Sequence, residues 1–276
     1  MNEVSDNKFR LYCLKALGII SDASTLKEII ETSIFFRPSE KRLTEAIIIK
    51  MGLKTVPTLI SLVKDVKLHD HSRILASKTL GRIALPQLQT NLNEILEIEI
   101  KRAYFYLYCG HTIQKEYPLY DLKLLENALL TGLQSVVSFI IHLLGAAGSL
   151  EDCDLLAYSL HSKNAKDQAD AVETIEKNCS RRIFTKIQPL IDEWPVEEIF
   201  KAYEKFYGSL PSISLSELLT KLENSASLFD KTIASSLKAK LRMPKWRESL
   251  REQIKNSDGP LHQYAYELLE SSNIPG

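Results

Sequence analysis

Six histidines, four cysteines, an acidic turn and a run of cations are the residues of this chain whose types could do chemistry. His69, His71, His111, His142, His161 and His262 could hold a metal or move a proton. Only His69 and His71 are close, and at a two-residue step on a helix they would face different directions. No His-Glu-x-x-His or comparable ligand spacing occurs, so the histidines are expected to be structural or solvated, with no metal site. His142, on an apolar helix, reads as a hydrogen-bonded core residue. Cys13, Cys109, Cys153 and Cys179 lie far apart, each beside apolar residues, which predicts buried thiols in a reducing compartment. Glu151, Asp152 and Asp154 stand where a helix should begin, a position carboxylates favour through capping and the helix dipole alone. No Gly-rich phosphate loop and no Gly-x-Ser-x-Gly is present in the sequence, so no catalytic residue and no cofactor is assigned.

The cationic run departs most clearly from its surroundings. Lys238, Lys240, Arg242, Lys245, Arg247, Arg251 and Lys255 are answered only by Glu248 and Glu252, with Trp246 among them, a local charge of seven minus two, or +5. Such a segment could bind lipid headgroups, nucleic acid or an acidic protein segment. A solvated helix surface with i,i+4 charge pairs accounts for it equally simply and is the favoured reading. Arg181, Arg182 and Lys186 form a smaller cationic group.

The elements that must position these residues are helices. The chain has 276 residues, 45% hydrophobic and 25% charged, enough for a substantial core. Its ten glycines and ten prolines sit between periodic segments. Basic and acidic side chains balance at 35 each, so no global field favours nucleic acid or an anionic membrane, although a local patch could still bind either. Met1 to Lys8 is polar and reads as no leader. The best membrane candidate, Val136 to Ala147, is a dozen residues long, whereas a span needs about 20; a soluble polypeptide is expected, although one excised from a membrane protein would look the same.

Leu124, Leu125, Ala128, Leu129, Leu133, Val136, Val137, Ile140, Ile141 and Leu144 recur at three- and four-residue steps and predict a long helix over Asp121 to Gly145. Asp152 to Leu160 and Gln168 to Lys177 follow, the latter with the stripe Ala171, Val172 and Ile175. Upstream, Asp6 to Gly18 should present Phe9, Cys13, Ala16 and Leu17, then turn at Ser21 to Ser24. Pro38 should open a helix in which Leu43, Ala46, Ile47 and Lys50 lead to Met51 and Gly52, with the small Ala46 where two helices approach closely, and Val56 to Val66 should be its partner. A further helix from near His69 should turn at Leu85-Pro86, and Leu88 to Cys109 should pair with Asp121 to Gly145 in an enlarged central hairpin. Helix pairs that cannot cover their own stripes imply stacking in an α-solenoid. The whole, residues 1–276, reads as one domain, with a change of course near Trp194-Pro195.

Leu17-Gly18, Met51-Gly52 and Leu80-Gly81 recur, each closing a first helix, with Val56-Pro57 opening a second. This resembles the HEAT family, whose helical-hairpin units run to about 40 residues. Leu133-Gln134, Phe139, Leu143-Leu144-Gly145, Glu151-Asp152, Leu155, Leu160, Ser162, Ala169-x-Ala171-x-Glu173 and Gln188-Pro189-Leu190-Ile191-Asp192 are similar to the HEAT region attached to bacterial nucleotide-translocase-like permeases. Gln168 stands where an Arg is usual, and Ile175-Glu176 where Leu-Asp is usual. The resemblance implies an all-α, HEAT-like solenoid of stacked antiparallel helix pairs. It would act as a non-catalytic protein-interaction or regulatory module, cytoplasmic, tethered at the cytoplasmic face of a membrane if a transporter domain is attached. A protein partner is expected, an anionic membrane surface is an option, and nucleic acid is disfavoured. The candidate partner surface is the segment Lys238, Lys240, Arg242, Lys245, Trp246, Arg247, Arg251 and Lys255. The rivals are a HEAT-like DNA glycosylase, which would want a strongly basic concave face, and a helper repeat protein of the bilin-lyase type.

Overall fold

A computed structural model of the chain describes residues 12–16, 25–210, 212–225, 227–256 and 259–271. Among them the regular structure is helical throughout, with no strand. The first named helix, α1, is Leu26–Thr32, buried through Leu26, Ile29 and Ile30. Pro38 then opens α2 (Pro38–Met51) as expected, because its fixed φ suits the first turn and the missing N–H would have no partner there. Glu40 reaches back to the Arg37 amide at 2.7 Å and closes the helix start. Gly52, at φ 73°, ends the helix in the left-handed region that glycine adopts freely. A 3-10 turn leads into α3 (Val56–Lys64), whose Val56, Leu59, Leu62 and Val63 point inward.

The longest element, α4 (Asp70–Glu116), is two helical segments joined at a kink. Ala84 leaves helical geometry (φ −151°, ψ 60°), two residues before Pro86. Proline removes a backbone donor and its ring clashes with the carbonyl four residues back, so the axis must break here. The turn expected at Leu85-Pro86 is therefore a bend between segments. Then come α5 (Lys123–Ala146), α6 (Cys153–Ser159), α7 (Ala165–Asn178), α8 (Arg181–Ile191) and α9 (Val196–Tyr207). The series ends with α10 (Leu215–Glu223), α11 (Leu228–Lys240), α12 (Trp246–Asn256) and α13 (Pro260–Ser271). Serine or asparagine caps start several of them: Asn164, Ser180, Ser214 and Ser227 each accept a bond from a first-turn amide.

Contacts divide the chain into two units, Met1–Tyr104 with Gln134–Gly208, and Phe105–Leu133 with Ser209–Gly276. In the first unit, helices consecutive in sequence pack on one another from α6 to α9. An ion network lies in its core. Arg73, wholly buried, donates from Nε and Nη2 to the Val63 carbonyl (3.1 and 2.9 Å), from Nη1 to Asp70 (3.0 Å) and from Nη2 to Glu99 (2.5 Å). Arg102 and Ser135 complete the coordination of Asp70 at 2.5 and 2.9 Å. The Phe139 ring covers the Arg73 guanidinium at 4.1 Å. Burial alone would raise the Asp70 carboxyl, but Arg102 and Arg73 outweigh it and hold it below the usual carboxylate range. Tyr104 and Tyr203 pack at 5.1 Å, and Tyr207 donates to Glu97 at 2.6 Å, so an aromatic cluster joins α9 to α4.

The second unit has its own apolar cluster, in which Cys109 and Ile113 of α4 and Leu125 and Leu129 of α5 meet Leu218 and Leu222 of α10 and Ile233 and Ala234 of α11. The connection between α4 and α5 lies within this unit. A Cβ on Gly110 would meet only Leu129 Cβ, at 3.9 Å, while a Cβ on Gly132 would meet the Tyr106 ring at 2.8 Å.

Several expectations are corrected. On α2 the buried positions are Glu40, Thr44, Ile48 and Met51, whereas Leu43 and Ile47 are half-buried and Ala46 is exposed. The buried Glu40 is the residue that satisfies the helix start, which turns a polar edge inward. Gly81 does not close a helix; it lies inside the first segment of α4. Cys13 is exposed, Cys153 and Cys179 are half-buried, and only Cys109 is fully buried. Residues 12–16 are helical with Leu14 inward and Ala16 exposed. Phe9, Leu17, Gly18 and the turn Ser21 to Ser24 lie outside the described residues. The helix α5 is 24 residues long and apolar enough to meet the length and composition of a membrane span, well beyond Val136 to Ala147. Its Val136, Phe139, Ile140, Leu143 and Leu144 are buried in the protein. The stretch Pro38–Lys64 meets the same test but is broken by the turn at Gly52.

Candidate binding groove

Within the first unit, α2, the first segment of α4, the end of α5 and the start of α6 enclose an open groove of about 1470 Å³. Helical spacing sets its lining. On α4, His71, Ile74, Leu75, Lys78 and Arg82 recur at three- and four-residue steps and share one face. On α2 the same spacing brings Arg42, Glu45, Ala46 and Ile49 to the opposite wall, with Lys41 beside them. From α5 come Ser138, His142 and Gly145, and from the following turn and α6 come Leu150, Asp152, Asp154, Ala157 and Tyr158.

Two glycines set how closely these helices approach. A Cβ on Gly81 would lie 2.2 Å from the Ala146 carbonyl oxygen, and one on Gly145 would lie 2.1 Å from Cys153 Sγ. Each closes a contact that any larger residue would push apart, Gly81 joining α4 to α5 and Gly145 joining α5 to α6.

The charges are of both signs and mostly paired. Lys78 meets Asp154 at 3.4 Å, Arg82 meets Glu45 at 3.1 Å, and His142 Nε2 lies 2.9 Å from Asp154 Oδ1. Burial lowers the His142 pKa, with the Lys78 ammonium adding to it and Asp154 opposing. The ring is therefore neutral near pH 7. Burial alone would raise Asp154, but Lys78 and His142 bring its carboxyl below the ordinary value. With the carboxylate accepting, His142 donates from Nε2, and its Nδ1 is a buried acceptor without a protein partner among the described residues. The acidic turn thus serves cross-helix pairing: Asp154 binds two groove residues, and Asp152, at φ 46°, precedes α6 without a side-chain capping bond.

The remaining histidines do not converge. His69 and His71, expected to face apart, stack at 5.3 Å, because His69 precedes the first helical residue and is free of helical geometry. Its Nδ1 accepts from the His71 amide at 3.2 Å. His111 lies 2.8 Å from Lys115 Nζ, and His262 Nδ1 lies 2.9 Å from the Ile254 carbonyl oxygen. Among the described residues no three His, Cys, Asp or Glu side chains are grouped to hold a metal. Burial pushes the Cys109 thiol up to about 12 and Cys179 to about 11, away from thiolate chemistry.

The cationic run lies in the second unit. Lys238 is withdrawn from it: its ammonium meets Glu223 at 2.5 Å, and Ser249 donates to the same carboxylate. Lys240, Arg242, Lys245, Arg247, Arg251 and Lys255 are exposed, and half-buried Trp246 is covered by the Arg247 guanidinium at 4.8 Å. In the first unit, Arg181 and Arg182 are exposed, while Lys186 is engaged by Glu97 and the rings of Phe206 and Tyr207.

Sequence reasoning missed the groove as a set. Its signal was present in the His71, Lys78 and Arg82 spacing and in the small residues Ala46, Gly81 and Gly145. Comparison with protein-family models, curated proteins and solved structures finds no match to this chain.

Proposed function

We propose that this protein is a non-catalytic interaction or regulatory module, a HEAT-like helical-repeat scaffold whose groove in the first unit receives an amphipathic helical segment of a protein partner. The observation that carries this reading is the groove itself. At about 1470 Å³ it exceeds the roughly 300–1,000 Å³ of small-molecule pockets. Its floor offers Ile49, Ile74, Leu75 and Leu150 to an apolar stripe. Its walls carry Lys41, Arg42, Lys78 and Arg82 among Glu45, Asp152 and Asp154. A mixed-sign wall suits a protein surface carrying both charges; a DNA glycosylase cleft would want one sign. The stacking of consecutive helices from α6 to α9 is compatible with a repeat scaffold. In this reading the module is cytoplasmic, and attachment to a nucleotide-translocase-like transporter domain would place it at the cytoplasmic face of a membrane.

Selection of helical peptides from a random library against the whole chain tests the proposal. Selected peptides should compete with one another and lose binding to Ala46→Trp, which fills the groove from an exposed position without entering the core. Failure to select any peptide, or undiminished binding to Ala46→Trp, would contradict it.

A further inference from the structure

The second unit carries a surface that stands independently of the groove. Helix α12 is fixed inward by Leu250, by Ser249 donating to Glu223 at 2.9 Å and by Gln253 donating to Ser235 at 2.8 Å. Arg247, Arg251 and Lys255, at four-residue steps, form one exposed row on its outer side. Lys240, Arg242 and Lys245 are exposed on the approach to that helix. Arg242 and Lys245 hold φ angles of 48° and 60°, a left-handed conformation that L residues other than Asn and Asp seldom adopt and that clusters at functional sites. Among the described residues none of these six cations is paired with a carboxylate, although Lys238 beside them is taken up by Glu223.

We infer that this row and the turn before it dock the protein on an anionic phospholipid surface. Six exposed cations fall within the size of cluster that binds acidic lipid headgroups. Trp246, half-buried where the turn meets the helix, is a residue type that settles at headgroup level. Glu248 and Glu252 weigh against duplex nucleic acid: they stand three residues before Arg251 and Lys255 and so border the row on the same helix surface. A duplex would hold both glutamates against fixed phosphates, one charge per about 1.7 Å of its axis, whereas the headgroups of a fluid bilayer rearrange around them.

Co-sedimentation of the whole chain with phosphatidylcholine vesicles, with and without phosphatidylserine, tests the inference. The protein should bind the phosphatidylserine vesicles, not the neutral ones, and release as salt rises. Arg247→Glu with Arg251→Glu should weaken binding at least about tenfold. Lys166→Glu with Lys201→Glu, an equal charge change at exposed sites of the first unit, should stay within about twofold. Melting curves verify folding, and Arg247→Gln with Arg251→Gln replaces the reversal if it unfolds. Absence of binding by the parent at low salt overturns the inference, as does equal binding by the row variant or an equal loss in the control. Tighter binding to a DNA duplex or to polyglutamate than to the vesicles also overturns it.

Discussion

Arg73 and Glu99 form an ion pair with both side chains wholly inaccessible, Nη2 to Oε1 at 2.5 Å. Arg102 and Asp70 complete a set of two cations and two anions, so no net charge is buried. Removing one partner strands a charge in a place where water cannot reach it. Glu99→Ala or Arg73→Met should each cost about 3–5 kcal/mol in denaturant unfolding. Arg73→Met with Glu99→Leu should cost clearly less than the sum, because the remaining Asp70–Arg102 pair is balanced. Additive losses would contradict a coupled network.

Gly81 and Gly110 should respond oppositely to alanine. At Gly81 a Cβ would meet the Ala146 backbone at 2.2 Å, so the helices must separate and the melting temperature should fall by several degrees. At Gly110 the nearest atom is 3.9 Å away, and the better helix propensity of alanine should raise stability by up to about 1 kcal/mol. Equal effects at the two positions would refute the close approach.

These glycines also show what was legible in the sequence. The Leu-Gly recurrence signalled helices packed in series, and helices were indeed the content. What it could not separate is a glycine that ends a helix, as Gly52 does, from one that lets two backbones touch, as Gly81 does. Those uses differ in tertiary contact, not in local pattern. The buried face of α2 escaped for a related reason: Glu40 and Thr44 look like solvent residues until the helix start and its neighbours cover them. The cationic run was legible as composition, but only the fold reveals that Glu223 removes Lys238 from it. The groove was least legible, since its walls come from segments far apart in the chain.

His142 gives a pH signature with a definite sign. Its folded pKa lies below 6.5, so between 6.5 and that lower value the unfolded chain binds the proton and the folded chain does not. Stability contributed by the neutral ring is complete above pH 6.5 and is lost as pH falls through the folded value. Melting temperature should decline on acidification from neutrality, and His142→Gln should reduce that decline, leaving the part due to His69, His71 and His161, whose pKa values burial also lowers. An unchanged slope in the variant would remove His142 as its source. Asp70 acts in a separate, more acidic window: its stabilisation is present above about 3.8 and fades as pH drops through its depressed value.

Thiol labelling should follow burial. Cys13 is exposed and should react first with a maleimide under native conditions, with Cys153 and Cys179 slower. Cys109, buried with its pKa pushed to about 12, should label only after unfolding. Rapid native labelling of Cys109 would contradict the packing of the second unit.

The groove's role as a partner site is tested most directly by hydrogen exchange on the whole chain with and without a selected helical peptide. Protection should appear on α2, on the first segment of α4 around Ile74 to Arg82, and on the end of α5 with the turn to Asp154. Protection confined to other elements, with these unchanged while the peptide is bound, would contradict the account.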